Sequence, residues 1–200
     1  MILILKGYVM KKILFSISIL LITSACSINR PVSNDYDQYL ANNEGVNNLP
    51  RAEHAASYQM SNAIKSHRYE FRSFMTGHAN LWIVEFGKML DATLRSKDIQ
   101  QAFDSQLTSV DGINAKDTLL YFDLQNYRFE DTQAKINLRV TLKRNESVLF
   151  EKIYTANGKS QGGKMFWGGV FAQKNAVQQS TKLALDEIFK QLIHDFNQAI

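Results

Sequence analysis

The stretch that most limits what this chain can fold into is a short run of strict alternation. Ala134, Ile136, Leu138, Val140 and Leu142 alternate with Lys135, Asn137, Arg139, Thr141 and Lys143. A period of two puts the five apolar side chains on one face of a strand and the polar ones on the other. A strand with one dry and one wet face belongs to an antiparallel sheet covered on one side. The flanks agree: Thr118 to Phe129 is rich in Leu, Tyr and Phe, and Val148 to Ala156 returns after Arg144-Asn145-Glu146-Ser147. The spacing predicts a three-strand meander over 118–157, with turns at Glu130–Thr132 and at Asn145.

The dry face needs a cover, and two helical stripes can supply it. Trp82, Phe86, Leu90 and Leu94 recur every four residues, flanked by Ala79 and Ile83, which predicts a helix from about His78 to Arg95. Val177, Ala184, Leu185, Ile188 and Leu192, widened by Phe189, Ile193 and Phe196, predict a second helix from about Lys174 to Phe196. Tyr69 to Phe74 partly alternates and makes a first strand. Ser96 to Lys116, with Asp111-Gly112, is expected as a loop holding a short strand near Phe103. The expected fold is α+β: an antiparallel sheet with helices packed on one face, a two-layer sandwich in the order strand, helix, three-strand meander, helix. It occupies 52–200 as a single domain.

The amino-terminal end reads differently. Lys11 and Lys12 precede an apolar run from Ile13 to Ile22, and Ser24 and Ala25 precede Cys26, the only cysteine. A membrane-spanning helix needs roughly 20 apolar residues, so the run is a secretory signal over 1–25, with Met10 a second possible start. Cleavage there leaves Cys26 as the first mature residue. The arrangement resembles the lipobox of bacterial lipoproteins, with Thr23 where leucine is commoner. That resemblance implies a diacylglyceryl group on the Cys26 sulfur and an acyl group, such as palmitate, on its new amino terminus. Several acyl chains anchor firmly where one holds only marginally. Ser27 follows the cysteine instead of aspartate, which resembles the sorting class of the outer membrane, facing the periplasm. Residues 26–51 are expected as the lipidated terminus and a flexible tether: Pro31, Pro50 and six asparagines fall between Ser27 and Arg51. Such a tether would reach roughly 25–30 Å.

Removing the signal changes the charge balance. The chain has 23 basic and 19 acidic residues; without Lys6, Lys11 and Lys12 the basic count is 20, a net of +1. A nucleic-acid partner loses its main support, since phosphate binding needs a surplus of clustered Lys and Arg. With Cys26 acylated no thiol remains for a disulfide, redox step or thiolate metal site, and no cofactor is expected.

Several motifs invite chemistry. Gly158-Lys159-Ser160-Gln161-Gly162 fits the G-x-S-x-G pattern of a nucleophilic serine. The only histidine after it is His194, and the nearest acids, Asp186 and Asp195, share that histidine's helix. A Gly/Ser turn explains the pattern as well. Gly158-Lys159-Ser160 also ends like a phosphate-binding loop, but Ile153 stands where the leading glycine is required. His54, His67, His78 and His194 show no metal-ligand spacing. Acids such as Asp91, Asp117 and Asp123 are scattered. The unusual segment is Gly162 to Ala172, an aromatic run between glycine pairs. Two readings stand for it. Met165, Phe166, Trp167, Val170 and Phe171 form a hydrophobic lip for a partner protein, a lipid or the membrane interface; or the rings fold back and cap the core.

The signal with Cys26, the run Leu119-Leu120-Tyr121-Phe122-Asp123-Leu124, and Asn175-Ala176-Val177-Gln178-Gln179-Ser180 opening the last helix resemble the YajG-like group of outer-membrane lipoproteins. The order of elements is also similar to auxiliary lipoproteins of lipid-transporting ABC systems. The resemblance covers 118–200 and the signal, and no catalytic residue carries over with it. The resulting expectation is a non-enzymatic binding or assembly module of the cell envelope. It would be lipid-anchored and meet a protein partner, or itself, through a sheet edge or the lip. Two alternatives are an auxiliary carrier of lipid or small ligands, which needs an internal apolar cavity, and an envelope hydrolase, which needs Ser160 within reach of a histidine.

Overall fold

The structure is a computed structural model. It describes residues 27–45, 49–105, 107–110, 118–145, 147–160 and 165–200, with the backbone alone for 165–167. In chain order its elements are β1 (Ile28–Pro31), α1 (Tyr36–Ala41), β2 (Ala56–Met60), α2 (Asn62–Ser66), β3 (Tyr69–Arg72), β4 (Asn80–Val84), α3 (Phe86–Arg95), α4 (Lys97–Ala102), β5 (Leu107–Ser109), β6 (Thr118–Glu130), β7 (Gln133–Arg144), β8 (Ser147–Lys159) and α5 (Met165–Ala199). Short 3-10 turns sit at Ser33–Asp35 and Phe74–Thr76.

The meander lies where the alternation puts it. β6 pairs antiparallel with β7 from Thr118↔Arg144 to Glu130↔Gln133, and β7 with β8 from Gln133↔Lys159 to Arg144↔Ser147. Ile136, Leu138, Val140 and Leu142 are fully buried, as are Val177, Ala184, Leu185, Ile188 and Leu192 of α5. Asp131 and Thr132 turn the first hairpin with φ of 51° and 61°, and Asn145 turns the second with φ of 47°. These values match the primed turns that follow the right-handed twist of paired strands.

Two strands extend this sheet in the order β5-β2-β6-β7-β8. β2 runs parallel to both β5 and β6. The α+β sandwich therefore holds, and its sheet is mixed, antiparallel only through the meander. Ala56, Ser57 and Tyr58 are consecutive and all buried. A strand covered on both faces has no alternation to reveal it. The expected loop over 96–116 carries α4 and β5 among its described residues; Asp111 and Gly112 lie outside them.

The helix expected over 78–95 divides. Asn80–Val84 is β4, the centre of a second sheet ordered β1-β4-β3, and α3 starts only at Phe86. Trp82-Ile83-Val84 is aromatic and β-branched, and pairing on both edges of this strand decides its state. The four-residue spacing misled because Trp82 of the strand and Phe86, Leu90 and Leu94 of the helix are buried in one core.

The tether also needs correcting. β1 pairs parallel with β4, and Val32, Tyr36 and Leu40, spaced by four, are buried. The Gln178 side-chain amide donates to the Val32 carbonyl at 3.0 Å, binding this segment to α5. Asparagine-rich composition hid a short amphipathic stretch that docks on a core formed far downstream. The first described element, β1, thus begins at Ile28, the second residue after Cys26.

α5 begins earlier than the apolar stripe suggests and breaks once, at Gly169 (φ 55°, ψ −133°), a conformation open to glycine. It approaches the sheet closely at Gly158. A Cβ there would lie 1.7 Å from the Ser180 carbonyl oxygen, so strand and helix backbones touch.

Candidate functional site

The chemical motifs resolve first. The Ser160 hydroxyl is buried and donates to the Thr132 carbonyl at 2.9 Å, tying the end of β8 to the first hairpin. Gly158, two residues earlier, lies against Ser180 of α5. His194 is fourteen residues beyond Ser180 on that helix, about 21 Å at the helical rise. It meets Gln198 instead, at 3.0 Å. Ser160 and His194 are not brought together. His67 packs edge-on to Phe86 and Tyr127, and burial lowers its pKa. His78 meets the ring of Phe74. Among the described residues no group of three or more His, Cys, Asp or Glu could hold a metal.

Carboxylates and lysines are used within the fold. Lys182, buried, reaches Asp186 at 2.9 Å and Asp98 at 3.2 Å, fastening α4 to α5. At the far end of α5, Asp195 accepts from Lys152 at 2.6 Å and from the Tyr154 hydroxyl at 2.7 Å. Partial burial raises the Asp195 pKa, but the hydrogen bonds from Lys152 and Tyr154 outweigh it, and the carboxyl sits below its ordinary value. Burial, then the bond to Asp195, pushes the Tyr154 phenol well above its own.

The surface clefts are lined by charged and apolar residues together. One of about 240 Å³ is lined by Asp37, Glu44, Arg95, Lys97 and Asp98, and the Lys97–Glu44 pair at 2.9 Å runs along it. Another, of about 470 Å³, is lined by Leu49, Arg51, Gln101 and Asp104.

What the surface does offer is apolar, and it falls into two groups. The first surrounds the start of the domain. The turn Phe74–Thr76, between β3 and β4, exposes Phe74 (88%) and Met75 (50%). Trp82 Nε1 donates to Thr76 Oγ1 at 3.0 Å and Asn80 Nδ2 to the Thr76 carbonyl, so the turn is held from below while its apolar side chains point out. The Ser73 hydroxyl donates to Gln173 Oε1 at 3.1 Å, bringing the turn to the first turns of α5, where Phe171 is 82% exposed. Ile28, also exposed, donates its backbone N–H to Ala79 at 2.8 Å. Arg72 donates to Ser27 Oγ at 3.2 Å and to the His78 carbonyl.

The expected lip thus divides. Phe171 is exposed, Val170 is half-buried against the core, and the side chains of Met165, Phe166 and Trp167 lie outside the described residues. Sequence reasoning missed Phe74, Met75 and Ile28. Phe74 was read as the end of the first strand, but β3 stops at Arg72 and Phe74 opens the 3-10 turn; the Phe-Met pair just before Gly77 was the available signal.

The second group lies on β8. This strand of 13 residues closes the sheet and pairs only with β7 among the described residues. Val148, Leu149 and Ile153 (50%) are exposed. The register shifts between Leu142 and Lys143, so Leu149 is an extra residue bulging from the ladder. β8 meets the end of α5 through Lys152 and Asp195. From Phe171 to Asp195 is 24 residues of α5, about 36 Å. The two apolar groups therefore stand at opposite ends of the long helix.

These features define a two-layer α+β domain with apolar ends and polar flanks. The sequence matches no family model and no curated protein. The fold is similar to that of the protein XCC0632 of Xanthomonas campestris, described under the family model DUF330, with a TM-score of 0.45 and 17% identity over 76% of this chain and 90% of that one. It is also similar to the hypothetical protein CT253 of Chlamydia trachomatis, with a TM-score of 0.37 and 12% identity over 73% of this chain and 98% of that one.

Proposed function

We propose that this chain is a lipid-anchored module of the cell envelope that binds or assembles protein partners and catalyses no reaction. Cys26 carries the anchor, in the inner leaflet of the outer membrane, and the domain faces the periplasm. The reading follows the signal segment and the resemblance to YajG-like and ABC-transport auxiliary lipoproteins. The observation that carries it is the β8 edge: 13 residues paired, among the described residues, on one side only, with Val148, Leu149 and Ile153 exposed. An unpaired edge offers a row of backbone donors and acceptors, a template for strand addition by a partner or a second copy. Exposed apolar side chains beside that row supply area for a specific contact.

The test is the mass of the native particle. Lipidated protein, extracted from its own membrane in mild detergent, should weigh the acylated chain plus another polypeptide, or a multiple of itself. Ile153→Lys should reduce that mass to the single chain while the melting temperature holds. A single wild-type chain carrying non-covalent lipid would contradict the reading and favour the carrier.

A further inference from the structure

Four of the seven exposed large hydrophobics among the described residues, Ile28, Phe74, Met75 and Phe171, gather at the end of the domain where the chain emerges from Cys26. Ser27 is bonded to Arg72, and Ile28 is already in β1. One peptide bond separates Cys26 from Ser27, about 3.8 Å between Cα atoms. An acyl chain on Cys26 would therefore hold this end of the domain against the bilayer, with no tether to carry it away. The charges suit that position. Residues 27–34, 71–84 and 165–185 carry no Asp or Glu, and Arg30 and Arg72 lie among them. Of the flanking carboxylates, Glu70 is paired with Arg68 and Asp35 with Lys174.

We propose that the surface formed by Ile28, Phe74, Met75 and Phe171 is a membrane-contact face that seats the domain on the lipid bilayer. Phe74, Met75 and Phe171 enter the boundary between headgroups and acyl chains, and Arg30 and Arg72 lie at the level of anionic headgroups. Aromatic and Met side chains with basic neighbours suit an interfacial contact. The inference rests on the proposed acylation of Cys26. It adds that the domain has a fixed orientation, with α5 leading away from the bilayer and the β8 edge carried to the outer end.

The experiment uses the mature lipidated chain in vesicles of phosphatidylethanolamine and phosphatidylglycerol. Acylation removes the only native thiol, so Met75→Cys supplies a single site for an environment-sensitive fluorophore. Thr155→Cys, exposed on the meander, supplies the control. Quenchers on the lipid acyl chains should dim the probe at 75 several-fold more than the probe at 155. Adding Phe74→Ser and Phe171→Ser should abolish the difference while the circular dichroism spectrum is kept. Intact mass, taken first, separates the two ideas. An unacylated Cys26 overturns the anchor and this inference with it. An acylated chain with equal quenching at 75 and 155 overturns this inference alone. A probe at 75 that is aqueous in pure lipid vesicles but shielded in native membranes also overturns it, in favour of a protein covering the patch.

Discussion

The two ends of α5 are both apolar at the surface, and they are built in different ways. At the start of the domain the apolar side chains sit on a turn and a first helical turn, Phe74, Met75 and Phe171, above hydrogen bonds of Ser73, Thr76, Asn80 and Trp82, with Arg30 donating to Asn80 Oδ1. At the other end Val148, Leu149 and Ile153 sit on an open strand, held to the helix by a charged contact of Lys152 and Tyr154 with Asp195. Side chains projecting from a turn can enter a fluid surface, which requires no backbone pairing. An open strand asks for another strand. The same residue types therefore suit a lipid at one end and a polypeptide at the other.

The largest effect comes from breaking the contact that joins the ends. Gly158→Ala places a methyl group against the backbone of Ser180 and Ala184. It should cost about 3 kcal/mol or more, since neither backbone can yield as a flexible side chain would. Urea unfolding measures it, and hydrogen exchange should quicken at both ends together.

Next comes acid, which should separate the ends. Asp195 titrates below its unfolded value. Its contribution is present above about pH 4, the ordinary carboxylate range, and is lost as pH falls through the lower folded value. Hydrogen exchange along β8 and the end of α5 should accelerate in that acid range before the Ser73–Asn80 turn changes. Asp195→Asn should remove that difference. In base the sign reverses for Tyr154. Its phenol is held protonated by burial and by Asp195, so stability is full below about pH 10 and falls above it. Tyr154→Phe should flatten that fall.

Surface variants distinguish the ends without unfolding either. Ile153→Lys and Phe171→Ser should each shift stability by about 0.5 kcal/mol or less, as exposed positions do. The first should abolish partner mass, and the second should weaken bilayer contact. The smallest effect is a gain. Thr132 is β-branched with φ of 61°, where glycine is free, so Thr132→Gly should add about 0.5–1 kcal/mol in thermal melts.

Legibility in the sequence follows how each element is covered. β7 has one wet face, and its alternation located the meander to within two residues. α5 has a stripe on one side, and its body was read correctly. β2 and β4 are covered on both faces or paired on both edges, so neither alternation nor helical spacing described them. Trp82 served as the first residue of a helical stripe only because strand and helix enter the same core. Residues 28–41 looked like a tether because the partners that order them, β4 and Gln178, are remote in sequence. Of the apolar lip, Phe171 was named as a candidate contact, with exposure one of two readings left open, and it is exposed. Phe74 and Met75 were not, because their neighbourhood with Phe171 depends on a bond between Ser73 and Gln173, a hundred residues apart.

The central claim is that opposite ends meet different partners. A photocrosslinking amino acid at Ile153 or at Phe171, activated in the native membrane, tests it directly. The account predicts a polypeptide adduct from position 153 and lipid adducts alone from position 171. Polypeptide captured at 171 with none at 153 would contradict it.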